Sequence, residues 1–182
     1  FGLVLAVIVA SVIIGGIKAI ARVAGVLVPF MALLYALSAV VVVALSYEHI
    51  MPALNLVMTS AFSSDAAIGG GLGAVIVGFQ RALFSNEAGL GSASIAHAAV
   101  RTERPASEGL VSLLEPFIDT VIVCSLSSLV ILTTAVPNNL MSDGLAGIEL
   151  TSAAFGHHFS WAPYVIAVAA LLFAFSTALA WS

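Results

Sequence analysis

The sequence predicts an all-α membrane protein, and its composition, its hydropathy and the length of its apolar runs each lead to this fold class. Of 182 residues, 62% are hydrophobic and only 8% are charged, whereas about 25% of a soluble domain is charged. The apolar residues lie in long runs rather than in alternation, and a helix needs about 20 of them to cross a bilayer core. Lipid is therefore the expected solvent for most of the chain.

Charge and cysteine content exclude further classes. The net charge of −4 offers no basic face for nucleic acid. Cys124 is the only cysteine, so an intrachain disulfide is impossible and a small buried side chain is expected. Both ends of the sequence lie inside apolar runs, without a start Met or a signal peptide. We therefore expect a central piece of a longer protein.

Four simple membrane crossings and one interrupted crossing are expected within a single transmembrane domain. The simple spans are predicted at residues 1–17, 25–45, 109–133 and 161–182. Residues 66–100 are too long for one simple crossing, and they combine several glycines with Arg81, Asn86 and Glu87. Glycines and polar residues together at membrane depth indicate a helix that breaks.

The basic residues predict how the spans are oriented. Lys18 and Arg22 lie between the first two spans, and Arg101 and Arg104 precede the span at 109–133. The other two connections contain no Lys or Arg. By the positive-inside rule, both basic connections face the cytoplasm. A short surface helix after Pro52 and a loop at residues 134–147 are expected on the opposite side.

The interruption is the predicted binding site. Carboxylate and carboxamide groups are costly at membrane depth unless they face protein, water or a ligand. The end of one half-helix presents carbonyls that suit an ammonium group or a cation, and the start of the other presents amides that suit a carboxylate. This geometry fits a zwitterionic amino acid, and the predicted substrate-binding residues are Phe84, Ser85, Asn86, Glu87, Gly89 and Gly91. A glycine-rich helix packed closely on its neighbours is the alternative.

Several segments resemble the alanine/glycine:cation symporter family. They are residues 78–99 (GFQRALFSNEAGLGSASIAHAA), 117–124 (FIDTVIVC) and 173–177 (FAFST), with weaker matches at 15–18 and 149–155. Together they follow the family's order over nearly the whole chain. Departures occur at residues 80–82, at Ser94 and at Glu115-Pro116, and they put local geometry rather than the class in question.

The resemblance implies a function and a fold. The function is sodium-coupled symport of small neutral amino acids, such as alanine or glycine, by alternating access. The expected location is the cell inner membrane as a multi-pass protein, with sodium as the co-transported ion and no other cofactor. The implied fold is the five-plus-five inverted repeat of the leucine-transporter type. The spans here are then helices four to eight, with residues 66–100 as the broken sixth.

The resemblance also assigns an ion site. It places Ser176 and Thr177 where this fold supplies hydroxyl ligands to sodium, and hard cations prefer oxygen. The alternative is that both hydroxyls bond to a carbonyl one turn earlier. Trp181 lies one turn after Thr177 and is predicted to wall the substrate, with bundle packing as its alternative.

For the remaining ionisable residues, the sequence is compatible with either a functional or a structural role. Asp119 is a candidate for gating or ion relay, or it bonds neighbouring groups as a structural residue. A structural role is favoured for Glu115, and surface or packing roles for His97 and for His157-His158.

Two other functions compete with sodium symport. One is a proton-coupled amino acid permease. The other is an intramembrane enzyme or receptor, but Ser92 and His97 are poorly spaced for a nucleophile and base on one helix. Neither the Gly-x-Ser-x-Gly pattern nor the His-Glu-x-x-His pattern is present. We therefore do not expect an enzyme.

Overall fold

The computed structural model describes residues 2–63, 71–85, 91–98 and 100–181. Within these ranges all regular structure is helical and no strand occurs. The prediction of an all-α protein is confirmed for this part of the chain. The main helices are α1 (Gly2–Ile13), α2 (Gly16–Leu45), α3 (Ile50–Ala61), α4 (Gly71–Ser85), α5 (Ser92–Ala98), α6 (Pro105–Ala135), α7 (Ile148–His158) and α8 (Ala162–Ala180).

Three of these helices, α2, α6 and α8, are long and apolar enough to cross a membrane. They contain most of the predicted spans at 25–45, 109–133 and 161–182. Helix α1 and the Gly71–Leu83 part of α4 are shorter apolar helices. The described part of the chain therefore fits a membrane protein.

Two helix boundaries differ from the apolar spans. Helix α2 begins at Gly16 rather than at residue 25, so Lys18 and Arg22 lie in its first turns. Lys and Arg are good helix formers that extend their charged ends to water, so a span need not start after them. Helix α7 was not predicted, because its Thr, Ser, Gly and His residues interrupt the apolar pattern.

Helix α6 contains two π-helical segments, Phe117–Val123 and Ile131–Ala135. The first begins directly after Pro116, which has no N–H to donate to the carbonyl four residues earlier. The helix instead continues with wider turns, in which the Cys124 N–H donates to the Asp119 carbonyl. Single π turns of this kind are frequent at functional sites.

Helices α2 and α6 run in the same direction. The hydroxyls of Tyr35 and Ser127 are 2.5 Å apart, and further along both helices those of Ser46 and Thr134 are 3.2 Å apart. Their N-terminal ends therefore lie at one end of the bundle. This places Lys18 at the same end as Arg104, as the orientation inferred from the basic residues requires.

Helix α8 runs antiparallel to α2. The ring of Phe173 meets that of Tyr35 edge-on with centroids 6.4 Å apart, and one turn further Ser176 lies against Met31, with its Oγ 3.9 Å from the sulfur. Met31 is near the middle of α2, which spans Gly16–Leu45. Ser176 therefore lies near the middle depth of the bundle.

The core of the described residues lies toward the C-terminal ends of α2 and α6, where α7 and the start of α8 pack against them. Phe155 of α7 is only 1% exposed, and its ring centroid is 6.0 Å from that of Tyr35. The other buried members are Ala39, Val42, Val130, Ala135, Leu150, Ala154, Ala162 and Ile166.

Three polar side chains, those of Ser46, Thr134 and His158, lie together at the same end of the core. The Ser46 hydroxyl lies 2.7 Å from Nε2 of His158 and close to the buried Thr134 hydroxyl. Burial, and then the neighbouring His157, lower the pKa of His158. Because unpartnered buried polar groups are costly, these contacts connect α2, α6 and α7. His158 therefore has the packing role expected from the sequence.

The two halves of α2, before and after Pro29, differ in how much of their surface is buried. Its buried residues, Met31, Ala39 and Val42, all follow the proline. The preceding half carries Lys18 and exposes large apolar side chains such as Val26, which is 73% exposed. Such apolar exposure fits contact with lipid or with further helices.

Candidate functional site

The predicted binding segment is flanked by two separate helices. Helix α4 ends at Ser85, with Phe84 in its last turn, and α5 begins at Ser92. Gly91 is outside both helices and has φ +85°, a left-handed conformation that favours glycine. Asn86, Glu87 and Gly89 lie outside the described residues. Of the predicted substrate-binding residues that the structure describes, Gly91 is thus the one with a positive φ.

We expect Gly91→Ala to destabilise the protein by about 1–2 kcal/mol, because a left-handed conformation imposes this cost on a residue with a Cβ. Among the residues that the structure describes, no heavy atom lies within 4 Å of the added methyl group, so the cost that they impose is conformational rather than steric. The measurement is the thermal unfolding temperature of the full-length protein in detergent.

Gly78→Ala is the matched control for this substitution. Gly78 lies inside α4, also with open space around its Cβ position and without a positive φ. Alanine is favoured over glycine in a helix by about 1 kcal/mol. Gly78→Ala should therefore maintain or raise the unfolding temperature, and an equal temperature for both variants would contradict the prediction.

The predicted sodium ligands both bond within their own helix. The Ser176 Oγ and the Thr177 Oγ1 each donate to the Phe173 carbonyl at 2.9 Å. This is the alternative that sequence reasoning left open. A hydroxyl that donates its proton still has oxygen lone pairs to offer a cation. The two bonds are therefore compatible with ion binding but do not require it.

The two side chains differ in exposure, although their hydroxyls donate to the same carbonyl. Ser176 is half-buried against α2, whereas Thr177 is exposed. Trp181 follows the end of α8, is 52% exposed, and its amide donates to the Thr177 carbonyl at 3.1 Å. Thr177 and Trp181 therefore share a face of α8 that the described chain leaves open.

Asp119 lies in the first π segment of α6 and is half-buried. Glu115, one turn earlier, has its Oε2 3.7 Å from Nε2 of His97. This contact fits the structural role favoured for Glu115. The role of Asp119 as a gating or ion-relay residue stays a prediction.

The two halves of the predicted site are not brought together within the described ranges. There, neither α4 nor α5 makes an extensive contact with α8. The residues predicted to bind substrate around Gly91 and those predicted to bind sodium therefore remain on separate parts of the chain. The same ranges contain no cluster of His, Cys, Asp and Glu suited to holding a metal.

A short polar contact near the predicted binding segment was not foreseen from the sequence. Nδ1 of His97 on α5 is 2.6 Å from Oε1 of Glu108 on α6. The available signal was the basic turn between these residues, which brings the following helix back toward α5. A histidine before such a turn and a glutamate after it can meet at one membrane surface.

Comparison with known proteins assigns the chain to a family. Residues 1–182 match the sodium:alanine symporter family over their whole length. The chain belongs to this family. It is 40% identical over its whole length to a sodium/alanine symporter, AgcS, of Methanococcus maripaludis, covering 40% of that protein. This confirms the resemblance found in the sequence.

Two relatives from Bacillus subtilis have names that differ in substrate or ion. A probable sodium/glutamine symporter, GlnT, is 37% identical over 96% of this chain and 36% of its own length. A putative sodium/proton-dependent alanine carrier, YrbD, is 35% identical over 93% of this chain and 38% of its own length. The chain thus spans about two fifths of the relatives it matches. All these relatives are transporters by name, so the family is one of symporters rather than enzymes.

Proposed function

We propose that this chain is part of a sodium-coupled symporter that carries a small neutral amino acid, alanine or glycine, across the cell inner membrane. The supporting observation is the match of residues 1–182 to the sodium:alanine symporter family. Because the chain spans about two fifths of its relatives, the activity is proposed for the whole protein. Transport proceeds by alternating access, in which one group of helices rocks about a central site.

The proposed fold is the leucine-transporter type. In it α1 and α2 are helices four and five, α4 and α5 are the two parts of helix six, and α6 and α8 are helices seven and eight. The parallel course of α2 and α6, the opposite course of α8 and the left-handed Gly91 between α4 and α5 support this assignment.

Within this proposal the substrate and the ion bind to two groups of residues. The amino acid is bound around the α4–α5 connection, with Trp181 as a wall; the proposed residues there are Phe84, Ser85, Asn86, Glu87, Gly89 and Gly91. Sodium binds at Ser176 and Thr177, and Asp119 serves gating or ion relay. Sodium would favour substrate binding, and linkage requires the reverse effect as well.

Uptake of labelled alanine by the reconstituted full-length protein tests the proposal. We expect accumulation of intact alanine under an inward sodium gradient and none when choline replaces sodium. Unlabelled glycine should compete with the label. The driving force is the sodium gradient, so collapsing it with an ionophore should release the accumulated alanine.

Asn86→Ala tests the proposed binding site within the same assay. It should reach the membrane in normal amounts but lose sodium-dependent uptake, because it removes an amide from the proposed site. Uptake that follows a proton gradient without sodium would support the proton-coupled permease instead. Absence of alanine and glycine uptake under both gradients would refute the proposed function.

A further inference from the structure

The imidazole of His97 on α5 lies between two carboxylates of α6. Its Nδ1 is 2.6 Å from Glu108 Oε1, and its Nε2 is 3.7 Å from Glu115 Oε2. The two glutamates are seven residues apart, which is about two turns along one face of a helix. The His97 side chain of α5 therefore contacts α6 at two positions about two turns apart along the helix axis.

Two contacts at different heights restrain α5 more strongly than one. A single ion pair would allow the shorter helix to slide or pivot, whereas moving it along α6 lengthens at least one of the two His97 contacts. The contact with Glu108 is short, as charge-assisted hydrogen bonds are. Only 28% of the His97 side chain and 19% of the Glu108 side chain are exposed. The pair with Glu115 is longer, and 64% of the Glu115 side chain is exposed, so the contact with Glu108 is the stronger of the two.

The connection between the two helices is short and internally bonded. The Val100 amide donates to the His97 carbonyl at 3.2 Å, and the Arg104 amide donates to the Thr102 hydroxyl at 3.2 Å. Helix α6 begins immediately afterwards, at Pro105. The turn and the His97 contacts together make a hairpin of α5 and the first turns of α6.

Helix α4 is not part of this hairpin. Within the described residues it makes no extensive contact with α5 or α6, and the backbone contact between α5 and α6 is itself limited. Within these ranges the side-chain contacts of His97 therefore join α5 to α6. Gly91 directly precedes α5, so the same attachment sets where Gly91 lies.

We propose that His97 is a positioning residue that holds α5, and with it Gly91, on the N-terminal part of α6, so that the two helices move as one unit during transport. The inference rests on the proposed transport function, because it concerns one side of the proposed amino acid site. An ordinary surface ion pair is the competing interpretation, and such pairs contribute little to structure.

Uptake kinetics give the first test. His97→Ala should raise the KM for alanine by about fivefold or more, in the usual range for coupling between sites, with a smaller change in kcat. His97→Asn keeps a donor near the position of Nδ1 and should recover most of the lost affinity. Ser112→Ala is the matched control: Ser112 lies on the same face of α6 between the two glutamates, but its hydroxyl bonds the Gly109 carbonyl of its own helix.

A distance measurement gives a second test that does not depend on transport. Spin labels are placed at Ala98→Cys on α5 and Val121→Cys on α6, with Cys124 and every other cysteine of the full-length protein replaced by Ala. Double electron–electron resonance then reports the distance between the two labels. With His97 present, the distribution should be narrow and the same with and without sodium and alanine. His97→Ala should broaden it, and Ser112→Ala should not.

The outcomes separate the two proposals. An unchanged KM or an unchanged distance distribution in His97→Ala overturns the role of His97. If the unsubstituted protein transports no amino acid, the proposed function fails, while the distance measurement still decides whether His97 holds α5. If His97→Ala does not reach the membrane, the KM and the distance distribution are measured instead in Glu108→Gln and Glu115→Gln, which remove the α6 partners of His97.

Discussion

Thr177→Val is expected to raise the sodium concentration that half-saturates alanine uptake by at least about tenfold, since even the outer groups of a metal site contribute factors of about 10 to 100. Valine keeps the branched shape of threonine but removes the oxygen, and sodium requires oxygen ligands. Thr177 is exposed on the face of α8 that the described chain leaves open, so the described residues do not block its oxygen. The measurement is a sodium titration of uptake by the full-length protein.

Thr177→Ser is the control, because it retains the hydroxyl and should keep the sodium requirement close to that of the unsubstituted protein. Ser176→Ala should act in the same direction as Thr177→Val. If Thr177→Val leaves the titration unchanged, its hydroxyl serves only the bond to the Phe173 carbonyl, and Thr177 does not belong to the ion site.

Phe155→Ala is expected to lower the free energy of unfolding by about 3–5 kcal/mol, the usual cost of truncating a buried aromatic residue. The ring lies in the core where α7 meets α2 and α8, and it is only 1% exposed. It already borders an open pocket of about 230 Å³, which is also lined by Phe159 and by the exposed side chains of Leu37 and Trp161. Removing the ring enlarges this space, and the surrounding helices can collapse only partly into it.

The measurement for Phe155 is unfolding of the full-length protein in detergent, followed by heating or by denaturant. Phe155→Leu fills most of the same volume and should cost considerably less than Phe155→Ala. Equal stability of Phe155→Ala and the unsubstituted protein would mean that α7 is not anchored by this ring. The core described at this end of the bundle would then be incorrect.

The sequence was sufficient to predict the long spanning helices and the family, because both depend on local signals. Long apolar runs fix α2, α6 and α8 almost independently of the rest of the molecule. Helix α7 escaped prediction because its burial depends on residues far apart in sequence: Ser46 and His158 meet only after α2, α6 and α7 have packed together. Nothing local in residues 148–158 reveals that partner.

The predicted ion site shows a limit of a different kind. Ser176 and Thr177 are neighbours in sequence, but successive residues of an α-helix point about 100° apart at 3.6 residues per turn. Ser176 accordingly faces α2 while Thr177 is exposed. Helical geometry alone could have predicted this divergence. Which elements complete the ion site depends on partners outside the described ranges.

Pro29 has a mechanical consequence for α2. A proline inside a helix removes one backbone hydrogen bond and weakens the helix at that point. Since every buried residue of α2 follows Pro29, the core holds the segment before the proline less firmly, and Pro29 is the point at which α2 can bend. Bending there would carry the charges of Lys18 and Arg22 sideways while Tyr35, Phe155 and Ser46 kept their partners.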